Sequence, residues 1–194
     1  MRLVGSDVEI KSDLPNELKE HLDQILDHAE KAKGVLTVVI TSVVYKIFHP
    51  EQDIRKHQSS IKPGGYSGRS FDKAYITPFL KSVRFPAMAE SGWLTRSLEQ
   101  KRPYDFNYPG AIEGLKTPFL STLSLVEEGE DCEKMLNYLF QGLIIQRNRQ
   151  KVDLAKPLNL SIRGIVDLLE KHFFSSYKSV GAARLPALAL YAVY

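Results

Sequence analysis

Val35-Leu36-Thr37-Val38-Val39-Ile40-Thr41-Ser42-Val43-Val44-Tyr45-Lys46-Ile47-Phe48 is the stretch on which the fold turns. Its Val, Ile and Thr content favours a strand, because β-branched side chains pack well on a pleated surface. The spacing argues the other way. Leu36, Val39, Ile40, Val43, Val44 and Ile47 recur at helical intervals, and fourteen residues is long for a strand. The pattern therefore predicts a core helix over 36–48, ended by His49-Pro50, and with it a mainly α fold. Read as a strand, the same residues would put a sheet at the centre of the molecule.

The flanking sequence supports the helical choice. Residues 14–33 read as a surface helix, with Asp13 as cap, Pro15 in the first turn, Leu14, Leu18, Leu22, Ile25, Leu26 and Ala29 on one face, and Gly34 as its stop. Further helices are expected over 118–127, starting at Thr117-Pro118, over 132–147, capped by Asp131, and over 161–173, capped by Ser161. With 194 residues, 43% of them hydrophobic, the chain can bury a real core as a single helical domain. No run of 18 uncharged apolar residues spans a membrane, and the single cysteine, Cys132, excludes an internal disulfide. A cytoplasmic setting is the natural expectation.

Charge is the second organising feature. Residues 55–103 hold ten Lys or Arg against Asp72, Glu90 and Glu99, a balance of +7 in a chain whose net charge is only +3. A second positive block covers 147–194, while 1–54 and 104–146 are acidic. The basic segment is loop-rich. Lys62-Pro63-Gly64-Gly65-Tyr66-Ser67-Gly68 must be a loop, Ser70 can cap a short helix that Pro78 limits or kinks, and Glu90-Ser91-Gly92-Trp93 makes another turn. Cations interleaved with Gly, Ser, Tyr and amide side chains suit phosphates and base edges. The bland alternative is a solvated face, but few carboxylates stand nearby to balance it. Phe71, Phe79, Phe85 and Trp93 read as core residues rather than base-stacking groups.

Catalytic patterns are weak. Asp72 with Glu99-Gln100-Lys101 loosely matches the acidic residue and Glu-x-Lys string of metal-dependent nucleases, yet the second string reads as a helix end rather than a strand. His21, His28, His49, His57 and His172 lack zinc-helix spacing, and the glycine loop lacks the Gly-Lys-Ser or Gly-Lys-Thr ending of a nucleotide-binding loop. No catalytic residue and no metal ligand is assigned.

Long strings carry a resemblance. Lys56-His57-Gln58, Gly65-Tyr66-Ser67-Gly68-Arg69-Ser70-Phe71-Asp72, Thr77-Pro78-Phe79-Leu80-Lys81, the run from Glu90 to Gln100, and the run from Tyr177 to Pro186 resemble the N-terminal half of a group of bacterial type II restriction endonucleases, often encoded beside a cytosine methyltransferase. The resemblance covers most of the chain from about residue 35. It implies a helical DNA-recognition region, with the nuclease core expected after the point where this chain stops and Mg2+ needed by the full-length enzyme. The apolar run from Ala182 to Tyr194 fits the expectation of a fragment. The partners implied are double-stranded DNA, the downstream nuclease domain and, as an option, a second copy of the chain. The residues expected to meet DNA are Arg55, His57, Gln58, Lys62, Tyr66, Ser67, Arg69, Arg96 and Gln100. Two other readings stay open: a helical protein-interaction module, and a complete metal-dependent nuclease with its site around Asp72 and Glu99.

Overall fold

A computed structural model describes residues 10, 12–88, 98 and 100–149, and beyond them 163, 164, 166, 167 and 170. The chain divides into two compact units, Met1–Ile144 and Ile145–Tyr194. Among the described residues the structure is helical and contains no strand, as the apolar spacing predicts. In chain order the helices are α1 (Asn16–Asp27), α2 (Lys33–Phe48), α3 (Gly68–Phe71), α4 (Thr77–Ser82), α5 (Lys116–Glu127) and α6 (Cys132–Arg149). A π-helical turn, Asp72–Ile76, joins α3 to α4, and a short 3-10 turn, Ile112–Gly114, precedes α5. The expected helix over 161–173 lies mostly outside the described residues, and those described within it are helical.

α2 is the centre of the first unit. Every residue from Gly34 to Val43 is buried, so the helix is surrounded rather than laid on a surface. This settles the conflict between composition and spacing. A β-branched residue costs up to about 0.7 kcal/mol of helix propensity, whereas fully burying Val, Ile or Leu contributes roughly 1.5–3 kcal/mol. Buried hydroxyls are satisfied within the helix: Thr37 Oγ1 donates to the Lys33 carbonyl at 2.8 Å and Thr41 Oγ1 to that of Thr37 at 2.7 Å. Thr37 Oγ1 also accepts from the Met88 amide at 3.1 Å, which ties the segment after α4 to the central helix.

Around α2 pack α1, through Leu18, Leu22, Ile25 and Leu26, and α5, through Phe119, Leu120, Leu123 and Val126. α6 adds Met135, Leu139 and Leu143 and reaches α1 through Tyr138, whose hydroxyl donates to Asp23 at 2.7 Å. Ile144, one residue on from buried Leu143, is exposed. Asp131 caps α6 as expected, accepting from the amides of Glu133 and Lys134 at 3.0 and 3.1 Å.

Three local expectations need correction. α1 begins after Pro15 with no side-chain cap; Asp13 instead pairs with Lys134 on α6. Gly34 does not stop α1, which ends at Asp27, but lies in the first turn of α2. There a Cβ would come within 2.8 Å of Leu98 and 3.0 Å of the Glu113 carboxylate, so close packing accounts for the glycine. The cap of the short helix in the basic segment is Ser67 rather than Ser70: Ser67 Oγ accepts from the Ser70 amide at 3.4 Å and donates to its hydroxyl at 2.7 Å.

Candidate nucleic-acid interface

The basic segment opens as a tied loop. Glu127, at the end of α5, accepts from Lys46 Nζ and from the Ile54 amide, each at 3.0 Å, and so fixes the start of the loop to α2 and α5. Lys46 also donates to the Gln52 carbonyl at 2.9 Å. Further on, the Tyr66 amide donates to the Lys56 carbonyl at 3.0 Å and the Gly68 amide to that of His57 at 3.1 Å, which brings 56–57 beside 66–68. Lys56 Nζ and Gln52 Nε2 close the loop from the other side, on the carbonyls of Pro63 and Gly64. At Gly65 a Cβ would stand 2.0 Å from the Gln58 carbonyl oxygen and 2.4 Å from that of Ile61, so no other residue fits this backbone path.

These bonds sort the expected DNA contacts. His57 is only 1% exposed and stacks on Tyr104, with ring centroids 3.7 Å apart; burial pushes its pKa down to about 4. Its ring bonds the backbone of Arg55 and Gln100. Tyr66, 5% exposed, stacks on Tyr45 at 4.2 Å and donates its hydroxyl to the Ile54 carbonyl at 3.2 Å; burial raises its pKa. Both side chains therefore hold the loop from within. Arg55 is half-buried and forks onto the Asp53 carboxylate at 2.9 and 3.2 Å, which lowers the acid's pKa and raises its own. Its charge is largely spent inside the loop.

The remaining residues divide by exposure. Gln58 is half-buried, with Oε1 accepting from Ser60 at 3.3 Å, and Gln100 is half-buried below His57. Lys62, Ser67 and Arg69 are exposed, the first at the loop tip and the others where the loop enters α3. Arg96 lies outside the described residues, as do Trp93 and Glu99. The structure thus brings Gln58, Lys62 and Ser67 onto one short loop, with Arg69 in the first turn of the helix that follows it, and turns His57 and Tyr66 inward.

Asp72, weighed above as a nuclease carboxylate, is buried in the π turn. Its Oδ1 accepts from the Thr77 amide at 3.1 Å and the Thr77 hydroxyl at 2.8 Å. The turn has a physical cause in Pro78, which has no amide to give and whose ring would strike the carbonyl four residues back in an unbroken α-helix. Widening the turn before it relieves both, and the Thr77 amide reaches the Asp72 carbonyl instead. Among the described residues no three His, Cys, Asp or Glu side chains gather as a metal site. Among the described residues, no donor set is assigned to the Mg2+ implied for the full-length enzyme.

Sequence reasoning missed several exposed rings. Phe48 and Tyr75 are 70% and 63% exposed, and Phe79, expected in the core, is 45% exposed although its ring meets Phe140 at 5.8 Å. The available signal was the end of α2: an aromatic residue before His49-Pro50, where the helix runs out of partners to bury it. Among the described residues no helix is long and apolar enough to cross a membrane. No family model, curated protein or solved structure matches the chain.

Proposed function

We propose that this chain binds double-stranded DNA, as the recognition region of a type II restriction endonuclease whose Mg2+-dependent nuclease domain follows it. The observation that carries the reading is the loop 62–69: exposed Lys62, Ser67 and Arg69 project from a backbone tied by Lys56 and Gln52, within a segment of balance +7. A fixed loop loses little conformational freedom on binding, and its glycines let the chain approach phosphates closely. Arg69 offers a forked donor to phosphate or guanine, and the Gln58 amide matches adenine. A cytoplasmic location follows from such a substrate and agrees with the lone Cys132.

The test is a titration of the purified chain against random-sequence duplexes at two salt concentrations, with and without magnesium. Binding that weakens steeply with salt and produces no cleavage supports the reading. Magnesium-dependent nicking abolished by Asp72→Ala would instead establish a complete nuclease. An absence of DNA binding at low salt, together with capture of a protein partner, would favour the helical interaction module.

A further inference from the structure

We infer that the row of rings where α2 meets α3, half-buried at Tyr45 and Phe71 and exposed at Phe48 and Tyr75, forms a stacking platform for a nucleobase standing out of the double helix; this rests on the DNA-binding reading above and names what the loop's neighbour does. Tyr45, near the end of α2, meets Phe71 edge-on at 5.0 Å, and Phe71 meets Tyr75 at 5.1 Å. Phe48, three residues after Tyr45, closes the helix at 70% exposure, and Tyr75 ends the row at 63%. Single exposed apolar residues are ordinary on protein surfaces. This row is different because its inner end is built into the core: Tyr45 lies against buried Tyr66, with centroids 4.2 Å apart and planes 25° from parallel.

Charge selects the occupant. Arg69 and Lys73 are exposed on the same run of chain as Phe71 and Tyr75, two cations against its one buried carboxylate, Asp72. Aromatic faces flanked by cations are what unpaired nucleotides require, the rings meeting the base and the cations its phosphates. An apolar peptide would gain nothing from those cations. The run is also continuous with the backbone-binding loop, because Ser67 caps the helix that carries Arg69 and Phe71. A nucleotide swung out of a duplex held at 62–69 would therefore have a ring surface within the same segment.

Three probes decide it: a duplex with one bulged 2-aminopurine, the same duplex fully paired, and its single strand. The bulged duplex is expected to bind about tenfold more tightly than the paired one, with quenching of the 2-aminopurine emission as the base stacks. Tyr75→Ala should cancel most of that preference and the quench, and Tyr75→Phe should retain both. Equal binding of bulged and paired duplexes without quenching would overturn the platform and leave duplex binding standing. Failure to bind any probe at low salt, by a chain with a helical circular-dichroism spectrum, would overturn both. Concentration-dependent dimerisation lost in Phe48→Ser would make the rings a contact between copies, and that too overturns the inference.

Discussion

His57 ties the candidate interface to acidity. Its ring is held neutral by burial against Tyr104, with a pKa near 4 against 6.5 for the free side chain. The unfolded chain therefore binds a proton between those values that the folded chain does not, so stability is full above about pH 6.5 and falls as the pH drops towards 4. The difference corresponds to a few kcal/mol, about 1.4 per pKa unit. Urea midpoints between pH 7 and 4.5 should fall for the wild type and fall less for His57→Phe, which keeps a ring on Tyr104. The Asp53 carboxylate, lowered below 3.8 by Arg55, contributes only in a more acidic window, so the two effects separate. Nothing in the residue type distinguishes a base-reading histidine from this core one; the partner ring lies 47 positions away, and only the fold brings it there.

Gly65 makes the second prediction at this scale. Replacing it with Ala drives a methyl group into two carbonyl oxygens of the backbone, which cannot move as a flexible side chain would. The loop must open, at a cost of more than about 2 kcal/mol in a denaturant titration, and DNA affinity should fall with it. The glycine was legible in the sequence as a loop residue. Its contact with 58–61 was not.

Among the elements, α2 shows why pattern outranked composition. Its β-branched residues were ambiguous between strand and helix, and the recurrence of Leu36, Val39, Ile40 and Val43 chose correctly because a helix surrounded by α1 and α5 buries all its faces. Caps were less legible. Asp131 was found because its helix begins immediately after it, whereas Asp13 and Ser70 were displaced by a tertiary ion pair and by a one-turn shift to Ser67. The joint between helix and loop is Glu127, with Lys46 and the Ile54 amide both on one half-buried carboxylate. Glu127→Ala leaves a half-buried ammonium and an amide without that partner, and should cost about 1–3 kcal/mol by thermal or urea denaturation. Glu127→Gln should recover part of it, since an amide oxygen can still accept from Ile54.

Over the whole molecule, net charge says little and its distribution says more. A balance of +7 within 55–103 was visible in the sequence, as was the loop that displays part of it. Which cations reach solvent was not visible, because Arg55 is consumed by a neighbour two residues away and Lys56 by a backbone carbonyl, while Lys62 and Arg69 stay exposed. Each phosphate contact releases counterions and sets the steepness with which affinity falls as salt rises. The decisive measurement is therefore the slope of log affinity against log salt for the wild type and for the Lys62→Ala/Arg69→Ala double variant on random duplexes. Binding through this loop predicts a slope shallower by about two in the double variant, with an unchanged unfolding midpoint. An unchanged slope, or no binding by the wild type at low salt, would contradict it.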